Sequence, residues 1–94
     1  MVQAIENWTS IAGRVRAVAD DSLLDGYKRV AVEVEHVAPV AQFESLVQAA
    51  TGEIVEILVP ADTAGSMASG QRITARVRRA ARGIFAHPDE TKLG

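Results

Sequence analysis

The chain has 94 residues, of which 48% are hydrophobic and 23% charged, and a formal net charge of -2. That size and balance describe a single globular domain with a thin core, and exclude both a two-domain protein and a chain disordered throughout. The slightly acidic balance provides no global attraction to nucleic acid or an anionic membrane, and the absence of cysteine excludes disulfides, thiolate metal sites and cysteine nucleophiles.

Period-two patterning dominates the chain. In "SIAGRVRAV", Ile11, Val15 and Ala17 are expected to face inward and Arg14 and Arg16 outward. The connection "ADDSLLDGY" carries turn residues and a glycine. In "KRVAVEVEH", Val30, Val32 and Val34 share one face and Arg29, Glu33 and Glu35 the other, as a half-buried strand requires. The next segment, "AQFESLVQAA", carries two patterns. Phe43, Leu46, Val47 and Ala50 form a helical stripe, which periodicity favours; as a strand, Phe43, Ser45 and Val47 would face inward. "ATGE" follows as a tight hairpin turn in which Gly52 takes positive φ.

In "EIVEILVP", Val55, Ile57 and Val59 form one face, and Pro60 ends the segment because it lacks a donor for the ladder. "ADTAGSMASG" has room for one helical turn, capped by Asp62 or Thr63 and ended by Gly65 or Gly70. In "RITARVR", Ile73, Ala75 and Val77 point one way and Arg72, Thr74, Arg76 and Arg78 the other. "GIFAH" reads as a last short strand, and residues 89–94 as a loose polar tail. Five or six short strands at this spacing predict an all-β fold, a small antiparallel barrel of the OB type spanning residues 1–88. No apolar run is long enough for a membrane-spanning helix. "MVQAIENWTS" lacks the basic and apolar regions of a secretory signal, so a cytoplasmic location is expected.

The run from "RVAVEVEHVAPVAQFESLVQAATGEIVEILVP" through "ADTAGSMASGQRITARVRRAARGIFAHP" resembles the TOBE-like (transport-associated OB) domain. That domain lies at the C-terminus of ATP-binding subunits of bacterial importers, especially sulfate-type ones. The features that carry the resemblance are the strand entering the Ala38-Pro39-Val40 turn, the "TGE" turn, the strand ending in "VP", the approach to "SGQRITARVRR", and the closing Phe85. The match covers roughly Arg29 to Pro88. It implies an OB-like barrel accessory to an ATPase, with a strand in 41–50 and a small oxyanion or a regulatory contact as its business. Two departures narrow it. There is no Walker-A loop, and "NWTSIAGRV" has Asn7 two residues too early and no arginine ahead of Gly13, unlike the signature of the molybdate-binding relatives.

The candidate binding residues are Arg72, Arg76, Arg78, Arg79 and Arg82, a cluster with no acid inside it. Guanidinium groups at alternate positions suit an oxyanion, which they grip by forked hydrogen bonds. The plainer alternative is a solvated outer face that protects the sheet from mispairing, with Glu33 and Glu35 occupying some of the arginines if their strand is a neighbour. His36 and His87, even with Asp89 and Glu90, lack metal-ligand spacing; the serines fit no nucleophile elbow; and "GSMASG" lacks the setting of a dinucleotide loop. A non-enzymatic module without cofactor or metal is therefore expected. Nucleic-acid binding ranks third and nucleic acid is not an expected partner. Phe43 and Phe85 fall on apolar faces and read as core, Trp8 and Tyr27 flank the barrel and read either way, and four scattered aromatics with a negative net charge make a poor stacking platform. Expected partners are a second copy of the chain, paired through a sheet edge in a homodimer, or a larger transporter subunit, with a small oxyanion as ligand.

Overall fold

The computed structural model describes residues 6–20 and 24–94. Five strands and one short helix follow one another as β1 (Thr9–Asp20), β2 (Tyr27–Pro39), β3 (Ile54–Pro60), α1 (Ala61–Ala64), β4 (Arg72–Ala80) and β5 (Gly83–Leu93). Hydrogen-bonded neighbours run β1-β2-β3-β5-β4, and β4 returns to β1, so the sheet closes into a ring. The described residues are thus all-β apart from one helical turn. All neighbours are antiparallel except β3 and β5, which meet in parallel at a single pair, Leu58 beside Phe85. The strand after β4 must run back along it, and that direction matches β3.

The ring interior is filled by the alternate positions that the pattern selects. Val30, Val32 and Val34 of β2, Ile57 and Val59 of β3, and Ile73 and Val77 of β4 are all within 1% of complete burial. Each such side chain contributes about 1.5–3 kcal/mol relative to exposure. β-Branched residues suit these sites because their restricted χ1 packs against a pleated surface.

Alternation breaks in β1. Register shifts against β2 fall between Ala12 and Gly13 and between Val15 and Ala17. The second leaves Arg16 as the extra residue, so Ala17 turns to solvent and Val18 packs against the core in its place. At the first, β1 and β2 approach so closely that a Cβ on Gly13 would overlap the Glu33 carbonyl oxygen.

Residues 41–50 form neither the strand nor the helix. Pro39 ends β2, the chain turns with Phe43 donating its N–H to the Val40 carbonyl, and Gln42 adopts φ 74°. Glu44 alone makes a bridge, to Asn7. Of the apolar stripe, Val47 enters the core at 1% exposure while Phe43 and Leu46 remain 38% exposed. An apolar stripe with one buried anchor does not bury enough surface to hold a helix against the barrel. "ATGE" does make its turn: Glu53 donates to the Ala50 carbonyl, and Gly52 sits at φ 90°. It leads from this irregular segment into β3.

The helical turn forms where the small residues allow it, but Pro60 occupies its N-cap and neither Asp62 nor Thr63 caps it; Gly65 ends it. At the C-terminus β5 runs on to Leu93, so residues 89–93 are not a loose tail. Leu93, Lys92 and Thr91 pair with Ile73, Thr74 and Ala75, and the Gly94 N–H reaches the Arg72 carbonyl. What disguises this continuity is a wide bulge, with residues 87–90 set against Arg76 alone between the pairs Ala75–Thr91 and Val77–Ala86. Pro88 sits inside the bulge, where a missing ladder donor costs nothing.

Candidate functional site

Arg72, Arg76 and Arg78 project outward from β4, as alternation requires. Arg79 does not join them. It stands at the end of the strand, where its Nε donates to the Leu46 carbonyl at 3.0 Å and ties down the irregular 41–50 segment. The side chain of the buried Asn7 completes that junction. Its Nδ2 donates to the Arg79 carbonyl at 3.0 Å, and its Oδ1 accepts the Arg79 N–H at 2.8 Å. Arg82 lies in the turn between β4 and β5. The five arginines therefore do not converge on one point.

Their electrostatic surroundings divide them. β1 lies between β2 and β4, so the β2 glutamates reach the arginines of both β1 and β4's first residue. The Glu35 carboxylate spans Arg72 at 3.6 Å and Arg14 at 3.9 Å, and Glu33 holds Arg16 at 2.6 Å. Glu56 on β3 pairs with Arg29 at 3.7 Å. Arg72 thus belongs to a neutralised, solvated face, and such exposed pairs contribute about 0–1 kcal/mol each. Among the described residues, Arg76, Arg78 and Arg82 have no carboxylate within ion-pair distance, although Asp89 and Glu90 lie in the bulge facing Arg76.

That uncompensated part of the surface is also where the aromatic rings collect. Thr9 pairs with Val77 and Asn7 binds the Arg79 backbone, which places Trp8 opposite Arg78 across the β1–β4 ladder. On the other side of β4, Arg78 pairs with Phe85, and its guanidinium carbon lies 5.7 Å from the centre of that ring. Phe85 meets Tyr27 edge to face at 5.5 Å, and Trp8 meets His87 at 5.1 Å with the planes tilted by 54°. Trp8, Tyr27, Phe85 and His87 are all half-buried. The outcome is a band across the outside of the ring in which two pairs of flat rings flank Arg78. Arg82 ends the band at a shallow cleft of about 200 Å³ shared with Arg29, Glu56, Leu58 and Ile84.

The sequence placed Phe43 and Phe85 in the core, and neither is there. Phe85 alternates with the inward-facing Ile84 and Ala86, so it lies outside, over Leu58 of the neighbouring strand. Leu58 is 5% exposed although it faces away from the interior. The signal that could have found this is the parity of "IFAH", in which Phe85 and His87 share a side; it was obscured because an aromatic residue beside isoleucine reads as core. Among the described residues, no group of three or more His, Asp or Glu side chains is placed to hold a metal ion.

No protein-family model matches the chain, and no curated protein matches its sequence.

Proposed function

We propose that the chain is a non-enzymatic binding module on an OB-type barrel, akin to the TOBE-like domains of importer ATP-binding subunits, and that it takes an anionic ligand on the band around Arg78. The ring order, the β3–β5 parallel contact and the helical turn between β3 and β4 support the OB assignment. One observation carries the functional reading. Glutamates neutralise Arg14, Arg16, Arg29 and Arg72, whereas among the described residues Arg76, Arg78 and Arg82 have no carboxylate within ion-pair distance. Uncompensated guanidinium groups attract anions and bind oxyanions through forked hydrogen bonds.

The test is thermal unfolding in sulfate, thiosulfate, molybdate, tungstate and phosphate at matched ionic strength. A ligand at about 100 times its Kd stabilises by about 2.7 kcal/mol, and each kcal/mol raises the midpoint of a domain this small by roughly 4–8 °C. A rise beyond the ionic-strength control that disappears in Arg76→Glu/Arg78→Glu supports the reading. Equal small shifts in wild type and variant would count against it.

A second reading, a homodimerisation module without ligand, draws on exposed apolar side chains. Phe43 and Leu46 are 38% exposed and Ile54 50%. A dimer built through a free sheet edge would have to use the β3–β5 seam, since every other pair of neighbours in the ring is joined by a ladder. Light scattering of wild type and Ile54→Lys decides it: a dimer that Ile54→Lys converts to monomer sustains this reading, and a wild-type monomer ends it.

A further inference from the structure

The arginine band carries more than charge. A small inorganic oxyanion needs guanidinium and amide donors and has no use for flat apolar rings, yet three of the chain's four Phe, Trp and Tyr residues, together with His87, lie along this band. We infer that the natural ligand is a single-stranded nucleic acid, its phosphates held by Arg76, Arg78 and Arg82 and its bases stacked on Trp8 and on the Phe85–Tyr27 pair. This rests on the anion-binding reading above and names the class of anion.

The arrangement has the two elements that sequence-tolerant single-strand binding requires, cationic groups along a track and aromatic faces beside it. Neighbouring strands of a sheet are about 4.8 Å apart, so β1, β4 and β5 present Trp8, Arg78 and Phe85 as successive steps across the barrel. Arg78 packs against Phe85, which extends the flat surface with a group that can stack on a base and reach a phosphate. Asn7 fixes the backbone next to Trp8 to β4 through two hydrogen bonds, which limits the ordering that binding must supply. Much of the acidic charge is engaged elsewhere on the outer surface, Glu33 and Glu35 with Arg14, Arg16 and Arg72. Glu56, which shares the Arg82 cleft, is engaged with Arg29, and Asp89 and Glu90, in the bulge facing Arg76, lie within ion-pair distance of none of Arg76, Arg78 and Arg82. A duplex would offer phosphates but keep its bases stacked within itself, so the proposal is specific to single strands.

Trp8 is the chain's one tryptophan, so its fluorescence reports on the band without a label. The full chain is titrated at low salt with an oligothymidylate of the length one barrel accommodates, roughly 4–16 nucleotides. Inorganic polyphosphate and a duplex of the same length serve as the other probes. The expected result is quenching of Trp8 by the oligothymidylate, with affinity falling as salt rises. Phe85→Leu, which keeps an apolar cover over Leu58, should weaken binding by roughly 5- to 150-fold, the loss of one stacked base. Arg78→Gln should weaken it too, and thermal melts confirm that both variants are folded. If polyphosphate or duplex binds as tightly as the oligothymidylate and Phe85→Leu changes nothing, the single-strand proposal is wrong while the anion site stands. If none of the three anions binds, both fall. Should Phe85→Leu unfold the chain, Arg78→Gln and Tyr27→Leu carry the decision: undiminished oligothymidylate binding in both would overturn the proposal.

Discussion

Two regions of the outer surface use the same residue type and come to opposite ends. Where β1 separates β2 from the start of β4, arginines at alternate positions meet glutamates at alternate positions, and Arg14, Arg16 and Arg72 are neutralised in a cross-strand lattice. Where the end of β4 lies between Trp8 and β5, Arg78 meets rings, and among the described residues Arg76 and Arg82 form no ion pair. Nothing in β4 itself distinguishes Arg72 from Arg78. The neighbouring strand decides, and so the meaning of a charged face lies in the register, one level above the sequence pattern.

The largest effect expected from testing this contrast comes from Asn7→Ala. It removes both partners of the Arg79 N–H and carbonyl, and at about 0.5–1.5 kcal/mol for each part-buried hydrogen bond the loss should be about 1–3 kcal/mol in denaturant unfolding. Because Asn7 adjoins Trp8, the fluorescence of the native state should shift as well. Gly13→Ala strikes the opposite region. Its Cβ forces β1 away from the Glu33 carbonyl, with a cost of about 1–3 kcal/mol, and should weaken the Glu33–Arg16 pairing while leaving the Trp8 emission of the folded protein unchanged.

Arg78→Gln should cost about 0.5–1 kcal/mol of stability through the lost cation–ring contact, a larger effect on anion binding than on folding. The smallest change in stability belongs to Glu35→Gln, about 0.2–1 kcal/mol by analogy with other exposed pairs. That substitution releases Arg14 and Arg72 and should make the neutralised region resemble the other. Anion affinity measured by thermal shift should rise in Glu35→Gln; no change would mean that release of a guanidinium is not enough to make it a binding group.

Much of this fold is legible in the sequence. Alternation in "RVAVEVE" and "RITARVR", and the Val55, Ile57 and Val59 face of "IVEILV", assign both the strands and their inward faces, because a two-residue period has one interpretation on a half-buried sheet. Other elements escape for physical reasons. Val47 is buried through an irregular segment whose backbone is satisfied piecemeal by Trp8 and Arg79, and no periodicity records such a plug. β5 contains a proline and a bulge in its middle, so its far half looks like a polar tail although it pairs with β4. The candidate site is half legible. The arginines stand out by composition and the parity of "IFAH" holds the outward position of Phe85, but sorting Arg72 and Arg79 away from Arg76, Arg78 and Arg82 needs the strand order.

The single parallel pair between Leu58 and Phe85 gives the molecule a seam. A ring secured by ladders at four joints and by one residue pair at the fifth will open first at the fifth, unrolling into a curved five-stranded ribbon without melting any antiparallel ladder. Phe85 occupies that joint and the aromatic band at once. A ligand that settled on its ring would therefore bear on the latch as well, and should slow the opening of the seam.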